Sequence, residues 1–328
     1  MRAVQCVAWG GLENLELRDV PVPEAPGEGQ VLIDIAAAGV NYADLLITAG
    51  KYQERPLPPF TPGFEIAGRV RAVGTGVARV KPGDRVLAAL DRGGFAEQVV
   101  AREADIVPIP DRMEFAAAAG FAIAYGTSYG ALIWRAALKP AELLLVLGAA
   151  GGVGLTAVEI GKALGARVIA CAGGAEKLAI AREHGADFTI DYRAENLRNR
   201  IREISGGGGV DVVYDPVGGE SFDIALRSTN WGGRLLIVGF AGGAVPQIPA
   251  NILLVKNLAA LGFYWGSYRS KQPALLAPAF AHMFEWWEAG KLKPRVSGRY
   301  DLAEAKTALS LVAERKATGK IVLTTGYE

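Results

Sequence analysis

Histidine and cysteine are almost missing from this chain, with two of each among 328 residues. Cys6 and Cys171 lie far apart, each inside an apolar, strand-like stretch, so neither a disulfide framework nor a four-cysteine metal site is expected. Both are read as buried thiols. An excess of one charge is missing too: 35 Lys and Arg face 34 Asp and Glu, for a formal net charge of +1. That balance supplies no field to recruit a polyanion, and no nucleic-acid partner is expected. No apolar run approaches the roughly 18 residues of a membrane span, and the opening MRAVQCVAWG has no apolar core followed by a cleavage site. A cytosolic protein with no membrane partner is therefore expected. Internal repeats are absent, and the glycine run at 206–209 reads as a tight loop between a helix and a strand.

What remains is an ordinary globular composition, 51% hydrophobic and 21% charged, on a chain too long for one core. Two domains follow. Up to about residue 110 the chain holds short β-branched runs (VLIDIAAAGV, GRVRAVG, DRVLAAL, EQVVA) punctuated by Gly and Pro clusters, the pattern of a partly open β-barrel. Residues 113–137 are rich in Ala with spaced aromatics and read as helices connecting two domains, with a boundary near 123. From Leu143 apolar strands (LLLVL, RVIACA, DFTIDY, VDVVYDPV, RLLIVGF) alternate with helical segments, which predicts right-handed βαβ units and a parallel sheet. After Leu261 two helices are expected, at 273–289 and 302–315, then a strand in KIVLTT that rejoins the first domain.

The strongest local signal is LLLVLGAAGGVGLTAVEIGKALGARVIA, where a buried strand runs through GAAGGVG into a helix and on to a second strand. That context suits a dinucleotide. Gly151 lets the backbone approach a pyrophosphate, Gly154 permits close helix packing, and the amides of Ala150, Gly151, Gly152 and Val153 open the helix. The usual G-x-G-x-x-G is altered to Ala149-x-Gly151-x-x-Gly154, with Gly148 one place earlier, so a slightly different first turn is expected. At the end of the second strand, where NAD enzymes carry an acid for the ribose, stand Ala172, Gly173 and Gly174. The opening leaves room for a 2′-phosphate, with Lys177 as a compensating cation and Tyr192 flanking it, so NADPH is expected over NADH. Val217 and the backbone of Val238, Gly239 and Phe240 fall at carboxyl ends of later strands, where open α/β sheets bind ligands.

Together these features resemble zinc-independent medium-chain dehydrogenases/reductases of the NADPH:quinone oxidoreductase, zeta-crystallin-like type. The supporting residues are GVNYADLLITAGKY, TPGFEIAGRVRAVG, VKPGDRV, GGFAEQVV, GAAGGVG, VVYDPVGG and ATGKIVL, spread along the whole chain. The resemblance implies a GroES-like, mostly β catalytic domain formed by 1–123 and 263–328. A doubly wound Rossmann parallel sheet of α/β class, 124–262, is inserted in it, with the active site in the cleft between the two. Zinc alcohol dehydrogenases place a Cys where Asn41 stands and a His where Phe64 stands, and neither replacement is a good zinc ligand. No metal is expected.

The same resemblance places Asn41, Tyr42 and Asp44 near the nicotinamide, Tyr52 at the substrate mouth, Thr127 against the cofactor and Lys320 beside it. Asn41 holds a carboxamide or an acceptor carbonyl; Asp44 either belongs to the site or caps a short helix. Tyr52 is either a proton donor, as in related enoyl reductases, or a pocket wall. Tyr264, Trp265 and Tyr268 offer flat walls for a planar acceptor. His184 and His282 are read as surface or packing residues. Hydride transfer from NADPH to a small quinone leads. An enoyl reductase acting on an enone or acyl thioester is the first alternative, and an NADPH-binding structural or RNA-binding protein the second. A homodimer is implied by the family, with the apolar segment 248–258 as the pairing edge.

Overall fold

The computed structural model describes residues 1–327. The chain opens with two paired strands, Arg2–Cys6 (β1) and Leu15–Asp19 (β2), and then enters the strand Gln30–Val40 (β3), buried along almost its whole length. Glu65–Val73 (β4), Arg85–Ala89 (β5), Gln98–Arg102 (β6) and Ile106–Pro108 (β7) follow. β3 pairs antiparallel with both β4 and β6, and β5 bridges β4 to β7. Between β3 and β4 lies the helix Tyr42–Thr48 (α1). Val4, Ile33, Ile35, Ile66, Val86 and Phe95 fill the interior of this unit.

Two short helices, Phe115–Ala119 (α2) and Ala122–Tyr129 (α3), come next, and α3 widens into one π-helical stretch at Gly130–Arg135. Leu143–Leu147 (β8), the helix Gly152–Ala163 (α4), Arg167–Ala172 (β9), the helix Ala175–Glu183 (α5) and Phe188–Asp191 (β10) begin a parallel sheet. Val210–Asp215 (β11), Thr229–Ile237 (β12) and Ala259–Gly262 (β13) complete it in the order β10-β9-β8-β11-β12-β13. That is the dinucleotide-binding order, 3-2-1-4-5-6, and every neighbouring pair is parallel. Its strands read as unbroken apolar runs because both faces are covered; Leu145, Ile169, Val213, Leu235 and Phe222 form its core.

Val296–Asp301 (β14) and Lys320–Thr324 (β15) end the described chain; β15 pairs antiparallel with β3, and β14 lies parallel on its outer side. Among the described residues, 1–123, 269–280 and 294–327 make one compact unit, and 124–268 with 281–293 the other. The expectation that everything from 263 rejoins the first domain is thus corrected for 263–268 and 281–293. The reason is aromatic packing: Trp134 stacks on Tyr268 at 5.1 Å, and Tyr129 bonds His282 Nδ1 through its hydroxyl at 2.9 Å. By contrast Arg269, buried, pairs with Asp105 at 2.9 Å and Asp91 at 3.0 Å in the first unit. The segment 248–258 is not a sheet edge: Ala250–Lys256 is a helix, and the outer strand is β13.

Candidate active site

The cofactor half is built at the carboxyl ends of β8, β9 and β11. β8 ends at Gly148, whose φ of 60° is left-handed, and the chain turns back so that Gly151 N–H donates to Gly148 O at 3.0 Å. A Cβ on Gly154 would lie 2.1 Å from Gly148 O, so the first turn of α4 rests directly on the loop backbone. A Cβ on Gly151 would come no closer than 3.4 Å to any protein atom. The protein's own packing therefore does not require glycine there. The first helical bond is Leu155 N–H to Gly151 O, which leaves the Gly152 and Val153 amides at the open end of α4, a site for a phosphate.

α3 is pinned against this turn by hydroxyls. Ser128 Oγ lies within 2.9 Å of Val153 O, 2.8 Å of Thr156 Oγ1 and 2.9 Å of Tyr214 Oη. Thr127, the residue before Ser128, is buried. Asp215 closes the neighbouring strand end: its carboxylate accepts from Val217 N–H at 2.7 Å and Gly218 N–H at 2.9 Å, and burial raises its pKa. Val238 and Gly239 donate to Asp215 O, and Gly242 to Val217 O, so Val217 and the stretch 238–242 form one rigid rim. Phe240 is partly exposed on it.

At the end of β9 the sheet opens onto glycines. A Cβ on Gly173 would stand 2.6 Å from Arg193 Nε and 2.8 Å from Tyr192 Oη, so both side chains lie over this glycine. Gly174, at φ 95°, caps α5, with Lys177 in the first turn. Asp191, the last residue of β10, is turned into the loop; it accepts from Gly174 N–H at 3.2 Å and Arg193 N–H at 3.0 Å. The Arg193 guanidinium has no carboxylate partner among the described residues. Sequence reading missed Arg193, although its place two residues beyond a strand end was a signal.

In the first unit, α1 begins where β3 leaves the sheet. Asp44 is fully buried and accepts from Asn41 N–H at 2.8 Å and Gly63 N–H at 3.1 Å, the first bond being its half of a capping box in which Asn41 is the N-cap. Burial pushes its carboxyl up to about 7, against the pull of those amides and of Lys320. The stability this group contributes is fully present below pH 3.8, where folded and unfolded chains are both protonated, and is lost as pH rises through about 7. Asp44→Asn, which removes the titration, is expected to gain least in thermal midpoint relative to the wild type near pH 3 and most near pH 8. A gap that does not widen with pH contradicts this.

Asn41 and Lys320 are tied to each other and to Glu65. The Asn41 amide donates to Gly39 O at 3.2 Å and to Glu65 Oε1 at 2.9 Å, and its oxygen accepts from Lys320 Nζ at 2.6 Å. Lys320, buried, also donates to Val40 O and pairs with Glu65, both at 2.8 Å. All three ammonium hydrogens are placed internally. Tyr52 packs its ring on Phe64 at 5.2 Å, and Tyr42, at the start of α1, is half-buried.

Trp265 lies in an aromatic cluster. It is buried against Trp134 at 6.1 Å, and its ring fills space that a Cβ on Gly126 would enter at 2.6 Å. Tyr268 is stacked in the same cluster, and Tyr264 alone of the three is exposed. His184 Nδ1 contacts buried Glu159 at 2.5 Å, a packing role like that of His282. No three His, Cys, Asp or Glu side chains gather as a metal site among the described residues.

The alcohol dehydrogenase GroES-like domain matches residues 27–111, and the zinc-binding dehydrogenase domain matches 152–281. A Nematostella vectensis quinone oxidoreductase-like protein 2 homolog is 42% identical over 99% of this chain and 89% of its own length. Human quinone oxidoreductase is 34% identical over 98% of this chain and 97% of its own. The Escherichia coli quinone oxidoreductase complexed with NADPH matches with a TM-score of 0.90 at 31% identity, covering 99% of this chain and 100% of that one. With its GroES-like unit, its parallel Rossmann sheet and relatives matched along nearly its whole length, this chain belongs to the quinone oxidoreductase group of the medium-chain dehydrogenases/reductases.

Proposed function

We propose that this chain is an NADPH-dependent reductase whose acceptor is a small quinone. The observation that carries the cofactor is the glycine floor at the end of β9, overlaid by Tyr192 and the unpaired Arg193, with Asp191 turned away into backbone amides. A guanidinium without a carboxylate suits a 2′-phosphate, to which its hydrogen bonds are charge-assisted, better than a neutral ribose hydroxyl. Gly151, Gly152 and Val153 would hold the pyrophosphate, and Val217, the 238–240 rim and Thr127 would border the nicotinamide. NADPH supplies the hydride. The protein supplies orientation and exclusion of water.

The quinone rests on the relatives' names and on the apolar first-unit wall of Tyr52 and Phe64. A quinone accepts a hydride without help from a protein acid, whereas an enone needs a proton at carbon. Tyr52→Phe is therefore expected to leave quinone turnover within about twofold and enone turnover within the same range, because the ring is read as a wall. Loss of enone turnover alone, by about a hundredfold, would make Tyr52 a proton donor and move the assignment to an enoyl reductase.

The proposal includes a cytosolic homodimer. Both cysteines are unpaired and buried, and burial pushes the Cys171 thiol up to about 12. β13 is an outer strand, and beside it Leu254 and Val255 are 77% and 70% exposed and Trp231 70%. An uncovered parallel edge with apolar neighbours suits pairing with a second copy. Sedimentation at micromolar concentration is expected to give the dimer mass; a monomer mass that Leu254→Glu leaves unchanged contradicts it. No helix is long and apolar enough to cross a membrane.

A further inference from the structure

Glu65 is completely buried, yet its carboxylate is the meeting point of three separate segments. Oε1 receives Asn41 Nδ2 at 2.9 Å and Lys320 Nζ at 2.8 Å, and Oε2 receives Ile123 N–H at 2.7 Å. Lys320 opens β15, and the next residue, Ile321, pairs with Val40, the last residue of β3. Its ammonium thus holds the final carbonyl of β3 and the Asn41 side chain just where the chain leaves the sheet for α1. Two glycines vacate the space. A Cβ on Gly39 would lie 2.5 Å from Glu65 Oε1, and one on Gly120 would lie 2.9 Å from Lys320 Cγ.

A buried pair of this kind contributes little net stability, since desolvation offsets the attraction and an apolar replacement is often as stable. What it does supply is direction. Every donor and acceptor of the Asn41 side chain is committed to it or to Gly39 O, and Asp44 fixes the other side of the corner. Between them stands Tyr42, half-buried, with a hydroxyl that has no hydrogen-bond partner among the described residues.

We propose that Glu65 and Lys320 are positioning residues that act through Asn41 to fix the 40–42 corner, and that through this corner they hold the half-buried Tyr42 side chain in place for an acceptor. This rests on the reductase reading above. The test compares Lys320→Met, Glu65→Gln and the double variant, each in the wild-type and the Tyr42→Phe background, with thermal midpoints recorded. The double variant buries no charge and so folds if either single variant does not. The expected result is a fall in kcat of about tenfold to a hundredfold with KM for NADPH within about twofold, and a loss smaller than about threefold in the Tyr42→Phe background. Equal losses in both backgrounds would reduce the pair to a structural role. A raised KM for NADPH at unchanged kcat would make Lys320 a cofactor ligand instead. Should the wild-type chain reduce no acceptor, the reductase reading fails by itself, and amide exchange decides the positioning claim. Faster exchange at 40–46 in Lys320→Met with β5 unchanged supports it, and unaltered exchange at 40–46 overturns it.

Discussion

Gly154→Ala is expected to lose both NADPH binding and stability, whereas Gly151→Ala loses binding alone. The two glycines are three residues apart in one motif, but the structure gives them different work. An alanine methyl at 154 would be 2.1 Å from Gly148 O and 2.9 Å from the Ala149 Cα, atoms of a tight turn that have nowhere to move. Relief requires α4 to lift off the loop, at a cost of about 3 kcal/mol and with the helix amides displaced from the phosphate position. At 151 the methyl meets Gly148 O at 3.4 Å, ordinary contact, so the fold tolerates it. It then projects into the space that a pyrophosphate needs, and affinity falls by about a hundredfold. Calorimetric titration with NADPH alongside thermal melts separates the two; equal melting losses contradict the account.

Arg193→Gln is expected to raise KM for NADPH by about tenfold to a hundredfold while leaving KM for NADH unchanged. The figure is one charge-assisted hydrogen bond, about 1.5–3 kcal/mol, lost from the 2′-phosphate and from nothing else. Lys177→Gln is expected to have the smaller effect, since an ammonium is more strongly hydrated than a guanidinium and Arg193 is the side chain held over Gly173. Gly173→Ala provides the control on geometry, because its methyl would drive out Arg193 Nε and Tyr192 Oη together. A parallel rise for NADPH and NADH in Arg193→Gln would mean that the residue supports the loop and not the phosphate.

The parallel sheet was legible because strands covered on both faces are written as continuous apolar runs, and LLLVL, RVIACA and VDVVYD cannot be mistaken for surface. β14 was not, since VSGRYD is a half-exposed outer strand with no apolar run and takes its conformation from pairing with β15. The 248–258 segment was misread although the signals were present. Pro249 stands at the N-cap and Asn257 adopts the left-handed φ of 51° that ends a helix. The site follows the same division. The phosphate turn was readable because its residues are consecutive. Arg193 over Gly173 and Glu65 under Asn41 bring together residues 20 and 24 apart, and such contacts leave no periodic trace. The GFE triplet drew attention to Phe64, where zinc relatives carry histidine, and away from the buried carboxylate beside it. The burial of Trp265 could not be read from the sequence, because only the fold reveals that Gly126 leaves room for its ring.

The most direct test of the account is the initial rate of NADPH oxidation, set against NADH oxidation, by the purified chain with a para-quinone. The account predicts quinone-dependent oxidation with NADPH strongly preferred, and a preference that collapses in Arg193→Gln. Oxidation of NADH as fast as NADPH, or no quinone-dependent oxidation by a protein that binds NADPH, would contradict it.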